Sequence, residues 1–243
     1  MSTLGEPKIL IWDIETTNLV ANIGNVLCIG YKWLGDKQTT IMSIRDYPVQ
    51  LKADCTDDRR LVKDFSKVME QADSQVTWYG KKFDYRFINT RLLYHDLPPL
   101  PPVKHFDGWE VARYKLKLHS NRLQVVQDFL DLPVSKTPLS FRELARSRSG
   151  HIPSLKSIEE HCYADVEVLE QAYLKIRPYA GEKHFNATLV SDDNDKCPTC
   201  GSKNIHRRGL HMAITRLYQR WKCSNCGRWF RSLKSYKSTV KYR

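Results

Sequence analysis

Two carboxylates stand at alternate positions near the start of the chain. The stretch 8–19, KILIWDIETTNL, runs from apolar and β-branched residues into Asp13 and Glu15, a pattern typical of a buried strand that ends in acids. Residues two apart on a strand share a face, with Cβ atoms about 7 Å apart. A buried acid pair is costly without a cation or basic partner. We expect a divalent ion such as Mg²⁺ or Mn²⁺, which takes oxygen ligands; two solvated acids at a strand end are the alternative.

Two predicted helices carry further candidates. Asp84 falls in the first turn of one helix, where an acid also has a structural explanation because it favours the helix dipole. His161 and Asp165 are four residues apart on a long helix and therefore share a face. They lie beside the apolar stripe of that helix, where they could reach a site at the sheet edge or form a weak solvated pair.

The cysteines divide into two groups. Four form two C-x-x-C-G motifs near the C-terminus, Cys197, Cys200, Cys223 and Cys226. The glycine after each motif permits the turn that brings amides to the thiolates, and four thiolates are typical of a closed structural zinc site. Because seven is an odd number, a closed disulfide framework is disfavoured. The others, Cys28, Cys55 and Cys162, are scattered and are expected to be ordinary thiols.

The net charge of +12 is unevenly distributed. Residues 196–243 contain six Lys and seven Arg but no acid, which leaves 26 basic and 27 acidic residues in the preceding part. This basic segment predicts a nucleic-acid-binding module, with a solvated tail as the alternative. Basic residues interleaved with aromatics suit phosphate contacts and base stacking, although some aromatics could simply cover a small core. The candidates are Arg207, Arg208, Arg216, Arg220, Trp221, Arg228 and Trp229.

The element pattern predicts an α/β core. Strands are expected within 8–19, 25–34, 38–44, 75–79 and 103–106, with a loop over 46–60. Helices are expected over 61–72, after residue 80, and over 109–118, 121–130, 141–146 and 154–177, the last capped by Ser154. Strand one is followed by a hairpin, so the sheet is expected to begin as an antiparallel meander.

Taken together, three segments resemble the motifs of the DEDD (DnaQ-like) exonucleases: WDIETTNL, WYGKKFDYRFI and EEHCYADVEVL. The resemblance covers residues 8–179 and implies a ribonuclease-H-like mixed five-stranded sheet flanked by helices. It also implies that Asp13, Glu15, Asp84 and Asp165 hold two Mg²⁺ or Mn²⁺ ions. A further stretch over residues 119–137 reads HSNRLQVVQDFLDLPVSKT. Together with the later helix and a C-terminal zinc ribbon, it looks like a group of phage-encoded members of this family.

The chain departs from this family in two places. The tyrosine branch has Tyr four residues before the last acid, where this chain has His161, and the histidine branch has His one residue earlier, where it has Glu160. We expect His161 to orient or deprotonate the attacking water, because its pKa suits a base, with Tyr163 as the second candidate. Tyr79 replaces an Asn found in many relatives.

The expected organisation is an exonuclease-like domain over 1–180, a linker over 181–195 and a Cys₄ zinc ribbon over 196–243. The resemblance favours removal of nucleotides in the 3′ to 5′ direction, and we expect single-stranded DNA ends as the substrate, with DNA favoured over RNA. Leu19 lies close in sequence to the acids and is expected to contact the nucleic acid. A structure-specific endonuclease and a non-catalytic nucleic-acid-binding protein are the alternatives. No signal segment or membrane span is evident, so a cytosolic protein is expected, in a bacterial host if phage-encoded.

Overall fold

A computed structural model describes residues 7–133, 139–181, 184, 186, 188 and 195–236. The chain divides into two compact units, one comprising Lys8–Leu174 and the other comprising Met1–Pro7 and Lys175–Arg243. The expected linker over 181–195 lies largely outside the described residues, and its character stays a prediction.

The first unit is built on a five-stranded mixed sheet with the order β3-β2-β1-β4-β5. Its strands are β1 (Ile9–Thr16), β2 (Val26–Trp33), β3 (Thr40–Ser43), β4 (Ser74–Thr77) and β5 (Lys104–Asp107). β1, β2 and β3 pair antiparallel, whereas β4 and β5 run parallel to β1. The predicted mixed sheet is therefore confirmed.

The central strand is buried on both faces. Leu10, Ile11 and Trp12 of β1 are fully buried, as expected for a strand with neighbours on either side and helices over the sheet. Trp12 packs against Phe65 with ring centroids 5.0 Å apart, and its indole donates to Gln75 on β4. β1 is thus held rigidly up to the point where its acids begin.

Seven α-helices occur in the described part of the chain. They are α1 (Pro48–Ala53), α2 (Arg59–Met69), α3 (Asp84–Tyr94), α4 (Gly108–Lys115), α5 (Leu123–Phe129), α6 (Phe141–Ser147) and α7 (Ile152–Ile176). The prediction of a loop over 46–60 is wrong, because α1 lies within this range. Pro48 occupies the first position of α1, where the fixed φ of proline favours a helix start. Ser154 lies inside α7 rather than at its cap, and its hydroxyl bonds His151.

Ion pairs hold α7 against the sheet on both sides of His161 and Asp165. Lys32 on β2 is only 4% exposed, and its ammonium lies 2.7 Å from Glu170 and 3.0 Å from Glu167. Thr39 also donates to Glu167. Two residues before His161, Glu159 forms a two-point pair with Arg45. Together these contacts fix the rotation and the axial position of α7.

The second unit contains a three-stranded antiparallel sheet with the order β6-β7-β8. Its strands are β6 (Ile205–Met212), β7 (Leu217–Cys223) and β8 (Trp229–Ser235). Most of its residues are exposed, so this sheet has little apolar core.

Among the described residues, no helix combines the length and apolar character needed to cross a bilayer.

We predict that Lys32→Ala destabilises the protein by about 2 to 3 kcal/mol, because it leaves two largely buried carboxylates without their cation. Urea denaturation measures this change. Lys67→Ala is the matched control, since Lys67 is 61% exposed in its pair with Asp64 and should contribute less than about 1 kcal/mol. Equal losses for both variants would contradict the anchoring role of Lys32.

Candidate active site and metal centres

β1 delivers Asp13 and Glu15 to the carboxyl edge of the sheet. The two side chains share a face because they alternate on the strand. Pairing of β1 with β4 extends to Ile11 and Val76, and pairing of β1 with β2 shifts register between Glu15 and Thr16. The end of β1 therefore projects past β4, where elements following the parallel strands can approach it.

Asp84 approaches this strand end from the first turn of α3. Its side chain is 3% exposed, and the backbone amide of Ile14, between Asp13 and Glu15, donates to its carboxylate. Burial raises the pKa of Asp84 to about 7; hydrogen bonds from the amides of Asp84 and Ile14 lower it, and nearby Asp107 raises it further. A buried acid that resists ionisation needs a cation to become a carboxylate readily.

α7 supplies the remaining residues of the cluster. His161 Nε2 lies 3.5 Å from Asp165 Oδ2 and 3.9 Å from Glu15 Oε1. The thiol of Cys162 contacts the carbonyl of Asp13 at 3.7 Å, so this turn of α7 packs directly on the end of β1. Potential ligand atoms of Glu15, His161 and Asp165 all lie within 4.8 Å of one another.

The donor set suits hard divalent cations. The acids meeting around the end of β1 offer carboxylate oxygens, which are the ligands that Mg²⁺ and Mn²⁺ prefer, whereas the imidazole nitrogen of His161 is not a donor that these hard ions prefer. Several carboxylates at close range repel one another unless a cation lies among them. The side chains present therefore fit a divalent-metal site.

Asp107 is a residue that the sequence analysis did not place in this region. It ends β5, is 3% exposed, and accepts hydrogen bonds from the amides of Tyr79, Lys81 and Trp109. Burial raises the pKa of Asp107, although the three amide hydrogen bonds act in the opposite direction and lower it. The available signal was its position directly after the strand predicted over 103–106. That strand runs parallel to β1 in the structure, so its end lies at the same edge of the sheet.

Leu19 and Tyr163 occupy exposed positions near the acids. Leu19 follows β1 and is 82% exposed. Tyr163 is also exposed and lies two residues from His161, roughly 200° around the helix. Tyr163 therefore faces away from the direction that His161 takes.

The four C-terminal cysteines form a second cluster. Cys197 and Cys226 lie 3.7 Å apart between sulfurs, as do Cys200 and Cys223. Zn–S bonds of about 2.3 Å in a tetrahedron give a sulfur separation of roughly 3.8 Å, whereas a disulfide requires about 2.05 Å. The four thiols therefore fit a tetrahedral zinc.

Turns and hydrogen bonds around the sulfurs match the expected knuckles. Gly201 and Gly227 have φ of 71° and 79°, and the amide of Thr199 donates to Cys197. Hydrogen bonds to the Cys200 sulfur lower the pKa of Cys200 to about 4, and the largest contribution comes from the side chain of Cys197. His206 bonds Asn204 instead.

The predicted nucleic-acid residues of the ribbon divide between two faces. Directly opposed residues of antiparallel strands point the same way. Arg207 pairs with Trp221, and Trp221 with Phe230, on one face. Arg220 pairs with Arg231, and Lys222 with Trp229, on the other.

The second of these faces is the more basic. Arg220 and Lys222 lie 5.3 and 5.6 Å from the Trp229 ring centroid, and Arg231 lies 4.0 Å from that of Tyr218. Lys222 and Arg231 were absent from the predicted contacts. The alternation of Arg220 and Lys222 on a strand was the signal that could have grouped them.

The other predicted ribbon residues are placed differently. Arg208 and Arg216 are exposed, and the Arg208 carbonyl accepts from Arg220. Arg228 is half-buried and donates to the carbonyl of Pro178. Arg228 therefore makes a contact within its own unit.

We predict that Asp84→Asn stabilises the metal-free protein at pH 8. The pKa of Asp84 is near 7 in the folded state and about 3.9 when unfolded, so its favourable contribution is complete below about pH 4 and is lost as the pH rises through 7. In EDTA, the free energy of unfolding of the variant should rise relative to that of the parent by on the order of 1 to 4 kcal/mol between pH 4 and pH 8. Thermal unfolding across this range measures the difference.

Asp64→Asn is the control with the opposite sign. A hydrogen bond from Lys67 lowers the pKa of Asp64, so removing its charge should destabilise the protein at pH 8. A pH-independent difference between Asp84→Asn and the parent would refute the assignment of a proton-retaining acid.

The comparisons with known proteins agree with this architecture. No curated protein sequence matches the chain significantly. The family model described as the RNase H superfamily matches residues 10–176, more than half of the chain. Members of that superfamily are typically divalent-metal nucleases, which suggests nuclease-type activity on nucleic acid. The chain therefore belongs to the RNase H superfamily.

Proposed function

We propose that the protein is a metal-dependent exonuclease of the DEDD type that hydrolyses phosphodiester bonds of single-stranded DNA from the 3′ end. The observation that carries the proposal is the meeting of Glu15, His161 and Asp165 within 4.8 Å, with Asp84 bonded to the backbone between the two β1 acids. The resemblance of its three motifs to DEDD exonucleases supports the polarity and substrate.

Asp13, Glu15, Asp84 and Asp165 would hold two divalent ions. When bound, such ions activate water and neutralise the leaving oxygen of a phosphodiester. His161 Nε2 lies within 4 Å of both Glu15 and Asp165, so it is placed to orient a water and accept its proton. Leu19 is exposed beyond β1 and would pack against the terminal base.

Incubating a 5′-labelled single strand with Mn²⁺ should produce a ladder of products shortened from the 3′ end. We predict that Asp13→Asn and Asp165→Asn reduce the rate by about 10³-fold or more, because several kcal/mol of charge stabilisation are lost. Product sizes at successive times on a denaturing gel report the rate and the direction, because an exonuclease shortens the labelled strand stepwise from its full length, whereas internal cuts give short products at once.

Asp36→Asn is the matched control, since Asp36 is an exposed acid in the turn after β2, at the opposite edge of the sheet. It should digest as fast as the parent. Internal cuts would indicate an endonuclease instead, and an unchanged substrate would indicate a binding protein. Full activity of Asp13→Asn would refute the site assignment.

We further propose that the Cys₄ cluster binds one structural zinc and that the β7–β8 face binds the nucleic-acid backbone. The proposal is supported by the sulfur spacing and by four side chains, Arg220, Lys222, Trp229 and Arg231, on one face. Guanidinium and ammonium groups contact phosphates, whereas the indole offers a surface for a base.

The Arg220→Ala/Lys222→Ala double variant should weaken DNA binding and flatten its salt dependence. Losing two phosphate contacts reduces the slope of log K against log salt by about 1.4, at roughly 0.7 per contact for single strands. Fluorescence anisotropy at several salt concentrations measures the slope.

Arg207→Ala changes a basic residue of the opposite face and should leave the slope nearly unchanged. Both variants should retain one zinc per chain by elemental analysis, because every cysteine is kept. If the double variant holds its zinc and the parent slope, the β7–β8 face does not bind phosphates.

A further inference from the structure

Beyond the acids, the carboxyl edge of the sheet carries a cluster of aromatic and basic side chains, Tyr79, Lys82, Trp109 and Tyr114, here named the edge cluster. The ring centroids of Tyr79 and Trp109 are 5.1 Å apart and those of Trp109 and Tyr114 are 6.4 Å apart. The ammonium of Lys82 lies 4.9 Å from the Trp109 centroid and 5.7 Å from that of Tyr79.

The backbone holds Tyr79 in a disfavoured conformation. Its φ is 69°, a left-handed value that bulky residues rarely adopt. The carboxylate of Asp107 accepts from the amides of Tyr79 at 2.8 Å and Lys81 at 3.1 Å, which secures this turn. Core packing does not explain the conformation, because Tyr79 remains 41% exposed. Strain that presents an exposed ring points to a binding role.

The position of the cluster relative to the acids follows from the sheet order. Tyr79 comes two residues after β4, and Trp109 two residues after β5. β4 is adjacent to β1 and β5 is the next strand, so the cluster extends to about 10 Å from the end of β1 at roughly 4.8 Å per strand. That distance corresponds to about three nucleotides of a stacked strand at 3.4 Å each.

Exposed basic residues flank the cluster. α4 and the segment after it contribute Arg113, Lys115, Lys117 and Arg122, all exposed. Rings interleaved with cations match the alternation of bases and phosphates in a single strand. The charge pattern therefore favours nucleic acid over an apolar partner.

We propose that the edge cluster binds the single-stranded nucleic acid about three nucleotides from the scissile bond. A base stacks on Tyr79 or Trp109, and Lys82 contacts the adjoining phosphate. The cation–π contact of an exposed lysine is weak, so a phosphate can draw Lys82 away from the rings. The position of the scissile bond rests on the proposed function.

Two substrates of different length separate this role from catalysis. With oligothymidylate of 12 nucleotides, Trp109→Ala and Tyr79→Gly should lower kcat/KM about 10-fold to 100-fold, the effect of losing one stacked base. With the p-nitrophenyl ester of thymidine 5′-monophosphate, which has a single nucleotide and cannot place a base about three nucleotides from the scissile bond, both variants should remain within about twofold of the parent. Tyr79→Phe should retain activity on both substrates.

Tyr94→Ala is the matched control. Tyr94 is 68% exposed and ends α3, ten residues and about 15 Å from Asp84. It should not change activity on either substrate. Tyr79→Gly also guards against misfolding, because glycine accepts the left-handed φ without strain.

Anisotropy of labelled oligothymidylate with Ca²⁺ tests binding without hydrolysis. Weaker binding by Trp109→Ala and Tyr79→Gly, but not by Tyr94→Ala, supports the proposal even if the parent cleaves neither substrate, a result that would reject only the proposed function. Unchanged binding would overturn the proposal. Equal loss of activity on both substrates would also overturn it, since the residues would then support the acids instead.

Discussion

Mutual repulsion of carboxylates at the end of one buried strand is the constraint on which the rest of this structure depends. Asp13 and Glu15 share a face of β1 because strands alternate, and Asp84 is brought to the backbone between them. Such a cluster does not form for the sake of stability, because like charges held close together oppose folding. Its cost is offset by the apolar core under β1 and would be reduced by a cation bound among the acids.

The elements around this strand end act as supports. α7 is held by Lys32 below and Arg45 above the turn that carries His161 and Asp165. α3 begins at Asp84 itself, so the site acid and the helix start coincide. Asp107 secures the turn between β4 and α3 through backbone amides. A buried acid that accepts amide hydrogen bonds can fix a loop without occupying the reacting position.

The two units differ in what stabilises them. The first buries a continuous apolar core under its sheet, whereas the three-stranded unit exposes most of its side chains. Four sulfurs at tetrahedral spacing allow a metal to replace the missing core. The surface of this unit can therefore carry basic side chains and the tryptophan ring of Trp229, which are exposed to solvent.

Much of the architecture could be predicted from the sequence. Runs of apolar residues located the five core strands, and the α7 stripe was visible at helical spacing, because both depend on local periodicity. The two C-x-x-C-G motifs likewise identified the sulfur cluster, since short spacing dictates the knuckle geometry. The acids were grouped only through their resemblance to a family. The six-residue helix α1 was missed, because a proline at a helix start reads like a loop.

Distances between segments far apart in the chain were decided by tertiary structure alone. Nothing local relates His161 to Glu15; α7 brings them together, and its ion pairs with Lys32 and Arg45 hold it in place. The division of ribbon residues between two faces depended on strand register, which a single irregular pair shifts. The contact between Asp107 and the backbone of Tyr79 depends on the parallel pairing of β4 with β5, which places the ends of these two strands next to each other. Sequence determines which side chains are present and their local periodicity, whereas long-range pairing determines which of them meet.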